Sequence, residues 1–191
     1  MSPMKKLAIA AILAASTLSA QAATELVVNG NFETGNFTGW TKSGNPSLSD
    51  VISNTVTSNH TFVWRSGATG SPAYISQSLA TSAGWTYSLS FDVYNTATSN
   101  TTFEADFNGV SVYAFKNEAR NWTHVTLDGL TATGAATELK FGARNDPSFV
   151  RLDNVSVTVT AVPEPETYAM LLAGLGLVGV AARRRQRPNV G

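Results

Sequence analysis

From Trp85 onward the chain alternates: Trp85, Tyr87, Leu89, Phe91 and Val93 are apolar, while Thr86, Ser88, Ser90, Asp92 and Tyr94 between them carry polar groups. A period of two marks an extended strand with one buried face, whereas a helix would repeat its apolar positions every 3.6 residues. The pattern returns in Phe103, Ala105 and Phe107, and Asn108-Gly109 then supplies residues suited to a tight turn before 110–115 run back. A β-hairpin is the expected result. Further strand-like runs fall at 51–57, 61–65, 73–79, 123–127, 138–143 and 152–160, with Thr, Ser, Gly and Asn crowding the gaps. No helical periodicity is sustained between them, so the expected fold is all-β, an antiparallel β-sandwich of the jelly-roll kind.

The two ends read differently. Lys5 and Lys6 precede an apolar run at 7–18, and Ala20-Gln21-Ala22 puts small residues where a signal peptidase reads. Residues 1–22 are therefore expected to be a secretory signal peptide cleaved after Ala22. At the far end, the prolines in Val162-Pro163-Glu164-Pro165-Glu166 fix φ and exclude helix, which closes the domain at about residue 161. Residues 168–182 then carry no charge, and Arg183, Arg184, Arg185 and Arg187 follow directly, the order in which a positive-inside cluster stops a membrane segment. Fifteen helical residues reach only about 22 Å, short of a ~30 Å hydrocarbon core, so a brief or processed membrane stay fits better than a permanent anchor. The layout is thus 1–22 signal, 23–161 β-sandwich and 162–191 a hydrophobic helix with its flanks.

Pro163-Glu164-Pro165, the apolar run and the arginine cluster, in that order, resemble the PEP-CTERM sorting signal of Gram-negative bacteria. The resemblance implies an exosortase-type processing enzyme as partner. An inner-membrane-tethered precursor would lose its tail and go to the cell surface or the extracellular space, among exopolysaccharide.

Charge and composition narrow the function. Between Ala23 and Val162 there are seven Lys and Arg against eleven Asp and Glu, a net of −4 hidden by the zero of the whole chain. Scattered acidic charge offers no footprint for nucleic acid. With no cysteine, disulfides, thiol nucleophiles and cysteine-ligated metals are excluded. His60 and His124 are the only histidines and stand in no metal or nucleophile motif. Glu104 and Asp106 share one strand face, but such neighbours are ordinarily solvated, and an enzyme is not expected.

Two segments carry a second resemblance. Asn29-Gly30-Asn31-Phe32-Glu33-Thr34-Gly35 through Trp40, and Leu152-Asp153-Asn154-Val155-Ser156-Val157, look like the first and last strands of galactose-binding-like jelly rolls, which include many carbohydrate-binding modules. In similar jelly rolls a first-strand acid and a last-strand acid share a structural calcium; the matching positions are Glu33 and Asp153. Strand alternation also sets Asp153 with Val155 and Val157, and a buried carboxylate needs neutralising. Calcium, an ion pair with Arg151, or hydrogen bonds to turn amides would each do so. For ligand binding, Trp40, Trp85 and Trp122 are expected in the core, while Trp64, Tyr94 and Tyr113 are the candidate exposed aromatics for stacking on sugar. The overall expectation is an exported, noncatalytic surface or matrix protein. The alternatives are a carbohydrate-binding module for exopolysaccharide or an unusual glycoside enzyme.

Overall fold

In a computed structural model, residues 24–54, 60–146, 148–160 and 172–178 are described. The signal segment, the Pro163-Glu164-Pro165 element and the arginine cluster lie outside these residues. Ten strands follow in order: β1 (Thr41–Gly44), β2 (Ser49–Ser53), β3 (Phe62–Ser66), β4 (Ala73–Ala80), β5 (Thr86–Asn95), β6 (Thr101–Phe107), β7 (Val110–Lys116), β8 (Arg120–Thr131), β9 (Ala136–Asn145) and β10 (Val150–Val159). They form two antiparallel five-stranded sheets, β1-β4-β9-β6-β7 and β2-β3-β10-β5-β8. The sandwich matches the sequence expectation. A helix at 172–178 is exposed along its length, and no helix among the described residues is long and apolar enough to cross a membrane.

The core is the meeting of the two apolar phases. On β5, Tyr87, Leu89, Phe91 and Val93 point inward, and from the other sheet Phe103, Ala105, Leu139, Phe141 and Ala143 meet them. Phe91 stands edge-on to Phe141, with ring centroids 5.3 Å apart, the arrangement aromatic quadrupoles favour. Asn108 and Gly109 both take positive φ, as a two-residue hairpin turn requires, so the β6–β7 hairpin forms where the Asn-Gly pair predicts it.

The opening segment is held by its own polar groups rather than by a ladder. Asn29 takes a left-handed φ and donates through Nδ2 to the carbonyls of Asn36 and Thr38. Trp40 is buried against Phe32, and its Nε1 donates to the Asn29 carbonyl. This knot docks on the last strand through Gly30, whose carbonyl accepts from Val155 N at 2.9 Å.

Last-strand alternation departs from the expectation at one place. Between Asp153 and Ser156 the β10–β5 register shifts, with Asn154 at φ 51°, so one extra residue is absorbed. Such a bulge inverts the phase of everything beyond it. Leu152 on one side and Val155 and Val157 on the other all face inward, while Asp153, across from Asp92, falls on the outer face. The inference that Asp153 points with the valines is corrected accordingly. Arg151 does share its outer face, but it lies over the Tyr94 ring at 5.2 Å rather than on the carboxylate.

Candidate functional site

The outer face of β1-β4-β9-β6-β7 carries a groove of about 530 Å³, lined chiefly by Tyr74, Glu104, Gly142, Thr102, Ala114 and Lys116. Strand register explains its shape. Ser43, Tyr74, Gly142, Glu104 and Ala114 are successive partners across the five strands, so one transverse row reads small, large, none, acid, small. Side chains of one row on one face stand side by side, and Gly142 leaves the depression between its neighbours. The Tyr74 ring leans into it: a Cβ on Gly142 would lie 2.5 Å from Tyr74 Cε1 and 2.8 Å from Glu104 Oε1. In the next row Lys140 Nζ meets Asp106 Oδ2 at 2.9 Å and stands 5.5 Å from the Tyr74 ring centre. Burial, then the charge of Glu104 and a hydrogen bond to it, push the Tyr74 hydroxyl above its ordinary pKa, so it remains a donor at neutral pH. Bonding to Asp106 likewise raises Lys140 and keeps it cationic.

An aromatic wall beside acid, ammonium and hydroxyl groups can stack on an apolar sugar face while hydrogen-bonding its hydroxyls. Its two carboxylates, Glu104 and Asp106, stand in adjacent rows of one strand with Asp106 paired to Lys140, whereas a glycosidase sets its two carboxyl groups on either side of the scissile bond.

None of the aromatics singled out from the sequence lines this groove. Trp64 is 1% exposed, part of the core opposite Leu152, with Nε1 donating to Ser49 Oγ. Tyr113 points inward as well, partly buried and edge-on to Phe91 and Phe103, because the register shift between Ala105 and Asp106 sets it opposite the buried Ala105. Tyr94 faces outward, but on the other sheet, half-covered by Trp122 and Arg151. Trp40 is core as expected, Trp122 is only half-buried, and Trp85, expected inside, is 55% exposed because β5 begins one residue after it. The missed residue is Tyr74, and a signal for it existed. It is the aromatic on the polar phase of β4, between the fully buried Ala73 and Ile75.

Asp153 and Glu33 are placed by different partners. Asp153, 1% exposed, holds His60 Nδ1 at 2.7 Å through Oδ2 and accepts from Asn154 N through Oδ1. His60 in turn stacks on Trp122 at 3.8 Å. Glu33 is exposed and accepts from Phe62 N, two residues beyond His60. Around them, Asp92 joins His124 Nδ1 at 2.7 Å and Asn154 Nδ2 at 2.8 Å. No group of three or more His, Asp or Glu side chains able to hold a metal occurs among the described residues.

Burial pushes the Asp153 carboxyl up to about 6, against the opposing pull of its bonds to His60 and Asn154 N. A folded value above the unfolded one means that the fold prefers this group protonated. Its contribution is full below the ordinary value near 3.8 and is lost as pH rises through about 6. Wild type is expected to lose more thermal stability than Asp153→Asn between pH 4 and pH 7. Parallel melting curves for the two proteins across that window would contradict this.

Two packed antiparallel sheets with a polar, aromatic-walled groove on an outer face define a β-sandwich of the carbohydrate-binding-module kind. The chain belongs to the carbohydrate binding domain family, which matches residues 24–161, and residues 161–185 match the PEP-CTERM protein-sorting motif. It is an exported surface protein carrying such a domain. Solved structures share the fold. TmCBM61 in complex with β-1,4-galactotriose has a TM-score of 0.58 at 14% identity, over 72% of this chain and 100% of that one. The CBM22-1 xylan-binding domain from Paenibacillus barcinonensis Xyn10C has a TM-score of 0.52 at 18% identity, over 76% and 100%. The K3 cleaved adhesin domain of Lys-gingipain from Porphyromonas gingivalis has a TM-score of 0.52 at 15% identity, over 71% and 99%. No curated protein matches the chain.

Proposed function

We propose that this is a noncatalytic glycan-binding surface protein whose groove over Tyr74 and Gly142 takes a polysaccharide chain of the cell's own matrix. The row Tyr74, Gly142, Glu104 carries the reading, since it lays a stacking ring over a residue with no side chain, beside hydroxyl-bonding groups on one rigid sheet. Export would begin with the signal segment ending at Ala22, and residues 168–182 would hold the precursor in the inner membrane with Arg183, Arg184, Arg185 and Arg187 in the cytoplasm. An exosortase acting at Pro163-Glu164-Pro165 would then release the domain to the surface. Titrating the domain with host exopolysaccharide and with β-linked oligosaccharides, read by NMR shift perturbation, tests the binding claim. Shifts clustered on β4, β6 and β9 support it, and none at saturating sugar removes it. Mass spectrometry of the surface form in the host should find a C-terminus near Pro163; a mature chain ending in Gly191 would leave only a plain anchor.

A calcium ion between Glu33 and Asp153 is a separate proposal. Calcium takes six to eight oxygens. Here it would need His60 to release Asp153, and backbone carbonyls to complete the shell. A ligand that binds only the folded state stabilises it, so a higher melting temperature in calcium than in chelator supports the ion. Coincident curves remove it.

A further inference from the structure

We infer that the pole of the sandwich carrying Trp85 rests on the lipid surface while the precursor is tethered, with Trp85 as its interfacial anchor. This rests on the reading of residues 168–182 as the tether.

Both ends of the domain reach this pole. Thr160 N donates to the Thr86 carbonyl, so the chain leaves the sandwich one residue from Trp85. The N-terminal end arrives beside it, because Glu25 bridges Thr158 and Leu26 N bonds the Val157 carbonyl. Both targeting segments are thus attached to the same end of the molecule. Only seven residues, 161–167, separate Thr160 from the apolar run, and even fully extended they span about 25 Å. The topology therefore puts the Trp85 pole at the tethered end of the domain, within about 25 Å of the bilayer.

Its surface suits that position. Three loops are tied together there: Gly84 N bonds the Ala132 carbonyl, Ala132 N bonds the Trp85 carbonyl, and Asn108 Nδ2 bonds Thr133 Oγ1. Residues 80–86, 107–111 and 130–137 contain no charged side chain, whereas Glu118, Arg120 and Asp146 mark the loops of the opposite end. Trp85 is 55% exposed and Val110 61% exposed. A tryptophan with an apolar body and an N–H edge prefers the headgroup level, and the three loops bring no charge of their own to it, while Glu25 beside them has its carboxylate engaged by Val27 N, Val157 N and Ser156 Oγ. Seating the pole on the membrane would hold residues 161–167, with Pro163-Glu164-Pro165 among them, at the bilayer surface where a membrane-embedded enzyme can reach them.

Of the four tryptophans, Trp40 and Trp64 are buried, Trp122 lies under His60, and Trp85 alone stands out, so fluorescence can report on it. The full chain, reconstituted into phosphatidylethanolamine–phosphatidylglycerol vesicles, is first checked by flotation and then measured with brominated lipids. The expected result is quenching of wild-type fluorescence that Trp85→Phe loses almost entirely. A chain that floats while wild type and Trp85→Phe quench equally, or neither quenches, overturns the pole contact and leaves the tether intact. A chain that fails to float removes the tether reading and this inference with it. Protection of Trp85 from aqueous acrylamide by a soluble oligosaccharide, with no lipid quenching, would make the pole a sugar-binding tip and overturn the proposal.

Discussion

Gly30→Ala is expected to unfold the domain or cost it more than about 3 kcal/mol, among the largest single effects available in this fold. A Cβ at Gly30 would sit 1.9 Å from the Val155 carbonyl oxygen and 2.9 Å from its carbon. Those are backbone atoms of a central strand, which cannot move aside without breaking the ladder. The adjacent bond from Val155 N to the Gly30 carbonyl joins the opening knot to the last strand, so relief by separation would undock Phe32 and Trp40 from the core. Chemical denaturation measures this directly. A loss below about 1 kcal/mol would mean that the opening knot is not packed on β10 as described.

Gly142→Ala meets a similar distance with a different consequence. Its Cβ would approach the Tyr74 ring edge at 2.5 Å and a Glu104 carboxylate oxygen at 2.8 Å, both outer-face side-chain atoms that can swing. Stability should fall by no more than about 1–2 kcal/mol, since overpacking is cheap where neighbours face solvent. Binding should fall at least tenfold, because the ring is displaced and the floor is filled. Isothermal titration with the best glycan, beside a thermal melt, separates the two effects. Unchanged affinity in a folded Gly142→Ala protein would show that the ligand lies elsewhere.

Strand positions were readable from the sequence because burial on one face imposes a period of two, and the hairpin was readable because Asn108-Gly109 is chemically specific to its turn. Side-chain direction failed at particular points, each with a local cause. An extra residue in a strand leaves no mark when valines or hydroxyl residues flank it on both phases. The bulge after Asp153 therefore turned an apparent inward carboxylate into an outward one, and the shift after Ala105 turned Tyr113 from the outer face to a partly buried position against the core. Trp85 obeyed the alternation of β5 but preceded its first residue. Trp64, beside Arg65 and a glycine-rich loop, gave no hint that Leu152 would stand opposite it, since that pairing joins residues far apart in sequence. The groove was legible only in part. Glu104 and Asp106 were placed on one face, and Tyr74 sat on the polar phase of its strand. What brings Tyr74 beside Glu104 is the order β4-β9-β6, a property of topology that no local pattern records.

The central claim is that glycan binds on the β1-β4-β9-β6-β7 face, and a comparison of Tyr74→Ala with Tyr94→Ala tests it most directly. Both residues are half-buried outer-face tyrosines, one in the groove and one on the opposite sheet beneath Arg151. Removing a stacking aromatic from a sugar site should cost on the order of 2 kcal/mol or more in binding, about thirtyfold, whereas an aromatic elsewhere should cost nothing. Affinity electrophoresis in host exopolysaccharide should show Tyr74→Ala migrating unretarded and Tyr94→Ala retarded like wild type. Retardation of Tyr74→Ala equal to wild type, with retardation lost in Tyr94→Ala, would contradict the groove and move the site to the opposite sheet.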